Sequence, residues 1–170
     1  LKVMNSTIQK LSETMVKTLT LRGETISTAE SITGGLIGGA ITGVPGSSEV
    51  FLGGVISYSN QMKKDELGIT AADIKKVGVV SEAIAVAMAL AIQKRTKSTW
   101  AISSTGVAGP GPVDGIPAGT VWIAIAGPKI AQGIELSIAG KREIVRLGAV
   151  ESALGAFERI LSATKLAKRK

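Results

Sequence analysis

The chain has 170 residues, 45% hydrophobic and 19% charged, which suits one globular domain with a single core and excludes a disordered chain. It has no histidine and no cysteine, which excludes zinc sites of the Cys/His kind and histidine activation of a nucleophile. The net charge is +7, but Lys165, Lys168, Arg169 and Lys170 supply four of the positive charges at the C-terminus and read as a solvated helix end.

Ile8, Leu11, Met15, Val16 and Leu19 recur at helical spacing, and Gly23 stops that helix. A short strand is predicted at 25–29, then a small, glycine-rich helix at 33–42. A strand at 55–59 follows, then helices at 60–67, ended by Gly68, and at 71–77. Ser81 with Glu82 opens a strong helix running to about Lys97. The strand at 99–105 leads into a long Gly/Pro loop, 106–117. Strands at 120–126 and 130–138 form a hairpin around Gly127-Pro-Lys129, and a terminal helix runs from Lys141 to about Ala167. Helices alternating with strands, then an antiparallel pair, predict a three-layer α/β/α sandwich with a mixed sheet, one domain over 1–170.

The longest apolar run, Ile84–Ile92, falls far short of the roughly 20 residues that cross a bilayer. The first residues show no signal-peptide pattern. With cysteine absent, a cytoplasmic protein without a membrane partner is expected. Aromatic residues are 3% of the chain, too few to stack many bases, so nucleic acid is not an expected partner. No paired-acid motif argues for a metal, and no cofactor is expected.

If the chain performs covalent chemistry, a hydroxyl must be the nucleophile, with a lysine, a tyrosine or a carboxylate as its base. Four segments offer such groups. In Thr28-Ala-Glu-Ser31-Ile-Thr33-Gly34-Gly35 a strand end opens a helix. Free N–H groups and the hydroxyls of Ser31 and Thr33 can bind an anion there, or the segment is an ordinary cap. In Pro45-Gly-Ser-Ser48 a turn precedes an apolar run and then Tyr58, the only tyrosine, and Lys63. An extended chain would separate Ser48 from Tyr58 by roughly 33 Å, so a shared site requires a helical turn from Ser47 to about Leu52. Thr105-Gly106-Val-Ala-Gly-Pro-Gly111 places N–H groups and a hydroxyl at a sheet edge, suited to a phosphate or an oxyanion. Arg142 sits in the first turn of the last helix, against the dipole, which suits an anionic partner.

In this order the segments resemble the CinA C-terminal-domain family, the nicotinamide-nucleotide amidases. The matching pieces are Thr28–Leu36, Val44–Ser48 with Phe51–Val55, Tyr58–Asn60 with Lys63, Leu67-Gly68, Val80–Glu82, Thr105–Gly111, Gly119–Trp122, and Gly140 with Arg142 and Arg146. Ile32 stands where the family usually has cysteine, and the loop 112–117 departs from the common form. The resemblance implies a three-layer α/β fold and metal-independent hydrolysis of the carboxamide of nicotinamide mononucleotide, releasing ammonia. It puts the nucleophile on Ser48, the accompanying Tyr and Lys on Tyr58 and Lys63, and Thr105 with its loop in the site wall. The stand-alone form, without an additional N-terminal domain, is expected.

Donor chemistry assigns phosphate binding to Ser31, Thr33, Gly34 and Arg142, and oxyanion stabilisation to N–H groups near Ser48 or Gly106. In the expected mechanism Lys63 takes the Ser48 proton directly or through Tyr58. The competing reading is a catalytically silent nucleotide-binding or competence/DNA-damage-related interaction module. A homo-oligomer is expected, to cover apolar residues of the last helix.

Overall fold

The computed structural model describes residues 5–164. Helix α1 (Ser6–Arg22) starts where the Asn5 side chain accepts the Ile8 N–H and ends at Gly23, whose left-handed backbone (φ 62°) turns the chain into β1 (Ile26–Glu30). Its buried stripe is Ile8, Ser12, Met15, Val16 and Leu19. Helix α2 (Leu36–Thr42) and a single 3₁₀ turn (Ser47–Glu49) lead to β2 (Phe51–Ile56). Then come α3 (Asn60–Leu67), α4 (Ala71–Val77), α5 (Glu82–Thr96), β3 (Trp100–Gly106), β4 (Thr120–Gly127), β5 (Ile130–Ser137) and α6 (Arg142–Ala163).

The five strands form one mixed sheet in the order β2-β1-β3-β4-β5. Strand β1 pairs in parallel with β2 and with β3; β4 is antiparallel to both β3 and β5. Strand β1 is an interior strand, paired on both sides, and is buried along its whole length. On one face α1, α2 and α6 enclose a core that includes Leu19, Ile41, Ile102, Leu154 and Phe157. There Trp100 meets Phe157 edge-on at 5.5 Å and donates its indole N–H to the buried Glu24 carboxylate at 2.7 Å. On the other face α5, with the ends of α3 and α4, covers Ala29, Ala101, Ala124 and Ala126. The three-layer α/β/α architecture is the one predicted.

Strand polarity positions the site. Strands β1, β2 and β3 run the same way, and β5, antiparallel to β4, runs with them. Their C-terminal ends therefore meet at one edge of the sheet, where ligands of such sheets gather. That edge carries Ser31 after β1, Tyr58 after β2, Gly106 at the end of β3, and the start of α6 after β5.

Two local expectations are corrected. The expected helical turn from Ser47 to Leu52 is only the 3₁₀ turn at 47–49, and the chain is extended from Phe51 onward. The glycine-rich helix begins at Leu36, because residues 31–35 form a turn with Gly34 and Gly35 at positive φ. The basic cluster Lys165, Lys168, Arg169 and Lys170 lies outside the described residues.

Candidate functional site

Ser31 is fixed where β1 ends: its N–H donates to the Ser104 carbonyl at 2.9 Å, continuing the β1–β3 ladder. The turn that follows is organised around the buried carboxylate of Glu30. That carboxylate accepts the N–H groups of Gly35, Ile37 and Gly38 at 2.7–3.0 Å and the Thr33 hydroxyl at 2.7 Å. The anion at the start of α2 is thus the protein's own.

Lys63 lies in the second turn of α3 with its side chain directed inward, only 1% exposed. Its Nζ donates to Ser31 Oγ at 3.0 Å, to the Ser57 carbonyl at 2.7 Å and, more weakly, to the Tyr58 carbonyl at 3.4 Å. The ion pairs among the described residues, Arg22–Glu24 and Arg95–Glu66, do not involve it. Loss of water without a compensating negative charge lowers its pKa to about 8. A neutral amine within hydrogen-bond reach of a serine hydroxyl is a competent general base.

Ser31 and Lys63 open onto a cleft of about 400 Å³. Ile32, Val79, Val80 and Val107 give it apolar walls; Asn60, Thr105 and Arg142 add polar groups. The loop after β3 supplies one side through residues 107–113. Across the mouth, Arg142 donates to the Tyr58 hydroxyl at 2.7 Å and to the Gly109 carbonyl at 3.0 Å. Among the described residues no cluster of acidic side chains could hold a metal ion.

The sequence-predicted residues divide into two groups. Lys63, Tyr58, Ser31, Thr105, Gly106 and Arg142 line one cleft. Ser48 is not among them. It is exposed in the 3₁₀ turn at the opposite end of β2, and that six-residue strand, about 20 Å long, separates it from Tyr58. Ser48 as a nucleophile served by Lys63 is therefore corrected: the serine beside Lys63 is Ser31. The Tyr58 relay is corrected as well, since Tyr58 meets Lys63 through its carbonyl while its hydroxyl is held by Arg142.

Thr33 and Gly34 lie outside the cleft lining. The Thr33 hydroxyl is fully buried between Glu30 and Ser104 Oγ, and the Gly34 N–H donates to the Ser31 carbonyl at 3.1 Å. Both shape the turn rather than face a ligand. The Thr105 hydroxyl donates to the Val79 carbonyl at 2.9 Å, tying β3 to the segment before α5. Glu30 and Arg146 were not singled out from the sequence as site residues. The Glu-Ser dipeptide at a strand end was the available signal for Glu30; for Arg146 there was only its place one turn after Arg142.

Comparison with known proteins identifies relatives in sequence and in fold. The chain is 44% identical over 156 residues to a CinA-like protein of Prochlorococcus marinus, covering 89% of this chain and 37% of that protein. It is 47% identical over 135 residues to a CinA-like protein of Acaryochloris marina, covering 79% of this chain and 32% of that protein. The chain thus spans about a third of the length of these curated relatives. The solved structure of the competence/damage inducible protein CihA from Agrobacterium tumefaciens superposes with a TM-score of 0.90 at 33% identity, covering 95% of this chain and 99% of that one. The competence damage-inducible protein A of Klebsiella pneumoniae does so with a TM-score of 0.90 at 31% identity, covering 93% and 99%. Residues 8–161 match the family model described as CinA C-terminal domain, and the chain belongs to that family.

Proposed function

We propose that the protein is an amidase that hydrolyses the carboxamide of nicotinamide mononucleotide to the carboxylate and ammonia, with Ser31 as nucleophile and Lys63 as general base. One observation carries this reading: a fully buried lysine without a carboxylate partner among the described residues, its Nζ 3.0 Å from a serine hydroxyl at the floor of a cleft. The family resemblance supplies the substrate. The apolar walls suit the pyridine ring, and Arg142 at the mouth suits the phosphate.

Neutral Lys63 accepts the Ser31 Oγ proton as Oγ bonds to the amide carbon, and the carbonyl electron pair moves onto oxygen. On collapse the C–N bond breaks, the Lys63 proton passes to the departing nitrogen, and ammonia leaves. Water then attacks the acyl-enzyme ester, giving a proton to Lys63. That proton returns to Ser31 Oγ as the C–Oγ bond breaks, and the carboxylic acid so formed leaves and gives its own proton to solvent as the carboxylate.

The test is ammonia release from nicotinamide mononucleotide. Ser31→Ala is expected to lose turnover by at least about 1,000-fold while its fold, read by circular dichroism, is unchanged. In the wild type, kcat/KM is expected to rise with pH and level off above about 8, as Lys63 loses its proton. Full turnover in Ser31→Ala would remove the nucleophile. Nucleotide binding by the wild type without ammonia release would favour the silent binding module instead.

A further inference from the structure

Arg146 stands one helical turn behind Arg142 and is half-buried, yet it does not line the cleft. Its guanidinium spans two consecutive backbone carbonyls of the turn after Ser31: Nε donates to the Ile32 carbonyl at 3.1 Å and Nη2 to the Thr33 carbonyl at 3.0 Å. It forms no ion pair among the described residues.

Each peptide unit is planar and trans, so its N–H points away from its carbonyl. With the Thr33 carbonyl turned to Arg146, the Gly34 N–H of the same peptide points the other way, and it donates to the Ser31 carbonyl at 3.1 Å. With the Ser31 carbonyl turned to Gly34, the Ile32 N–H leaves the far side of that peptide. It donates to no group among the described residues, and Ile32 lines the cleft. A continuous chain therefore runs from the Arg146 guanidinium through the Thr33–Gly34 peptide to the Ser31–Ile32 peptide. It ends on an unused N–H adjoining the Ser31 hydroxyl.

Hydrogen bonds in such a chain polarise one another, and a cation at one end strengthens the donor at the other. We propose that Arg146 is a positioning residue that aims and polarises the Ile32 N–H as an oxyanion donor for the acyl transfer at Ser31. This inference rests on the Ser31 reading above. Gly34 fits it: its φ is +59°, and a Cβ there would lie 3.1 Å from Arg146 Nη2, so glycine permits both the turn and the close approach of the guanidinium.

The experiment measures kcat and KM for ammonia release beside the rate at which a fluorophosphonate labels the protein, followed by intact mass. In labelling, Ser31 Oγ bonds to phosphorus, fluoride leaves and Lys63 takes the proton, so the readout is independent of the amide substrate. Arg146→Met keeps the aliphatic stem and is expected to lose about 100-fold in kcat and in labelling rate at little-changed KM, as for loss of one oxyanion donor. Arg146→Lys, which cannot span both carbonyls, is expected to fall between Arg146→Met and the wild type. Added guanidinium is expected to restore turnover to Arg146→Ala.

Turnover and labelling of a folded Arg146→Met close to wild type would overturn the proposal, as would a loss confined to KM or an Arg146→Lys variant equal to wild type. Labelling that persists in Ser31→Ala would overturn the nucleophile reading and the inference together. Labelling of Ser31 without ammonia release would overturn the amidase reading alone, and the labelling rates would still decide the role of Arg146.

Discussion

A lysine ammonium that gives up its water for uncharged oxygen acceptors is a poor cation, and Lys63 is in that position. The folded protein holds its pKa at about 8 against 10.5 for a free lysine. Below pH 8 both folded and unfolded states are protonated, and the fold bears the full cost of the buried charge. Between pH 8 and 10.5 the folded lysine is neutral while the unfolded one is still charged, so this cost fades as pH rises. Lys63→Met removes the charge at the expense of the contacts with Ser31, Ser57 and Tyr58. It is expected to abolish turnover yet to stabilise the fold by about 1–3 kcal/mol at pH 7, a gain that shrinks by pH 10. Urea unfolding at the two pH values checks this; a variant less stable than wild type at neutral pH would show that burial of the charge is not costly here.

At the scale of elements, the turn between β1 and α2 carries both Ser31 and the Ile32 N–H beside it. Its shape depends on Glu30, whose carboxylate accepts three backbone N–H groups and the Thr33 hydroxyl. Glu30→Gln replaces one acceptor oxygen by an NH₂ group facing donors. It is expected to destabilise the protein by about 3 kcal/mol, seen as a lower thermal midpoint, and to reduce turnover although Glu30 does not line the cleft. Gly106 illustrates a second constraint. A Cβ there would lie 2.7 Å from the Thr120 carbonyl and 2.9 Å from Ile32 Cδ1, so Gly106→Ala is expected to cost about 1–3 kcal/mol by forcing β3 from β4. A thermal midpoint equal to wild type would disprove the crowding.

At the scale of the whole molecule, sheet polarity decides which residues can share a site. Ser48 precedes β2 and Tyr58 follows it, so the strand holds them at opposite ends. Ser48→Ala is expected to leave ammonia release within about twofold of wild type and stability within about 0.5 kcal/mol, as for an exposed residue away from special features. The parallel crossover through α2, by contrast, brings Ser31 and Lys63 together across 32 positions of sequence. No local pattern encodes that pairing.

Much of the fold was legible in the chain because its signals are local. The period of α1, the Ser81 cap of α5, the stops at Gly23 and Gly68 and the β4–β5 hairpin are each carried by residues within a few positions of one another. The absence of histidine and cysteine likewise narrowed any covalent chemistry to a hydroxyl with a lysine, a tyrosine or a carboxylate as base. Sequence alone thus determined the class of fold and pointed to the cleft residues Lys63, Thr105 and Arg142. It did not determine which serine lies beside the lysine, because Ser31 and Ser48 are both near strand ends in glycine-containing turns. Only the tertiary structure decided that, by running β1 and β2 in the same direction and delivering the end of one, not the start of the other, to the buried amine.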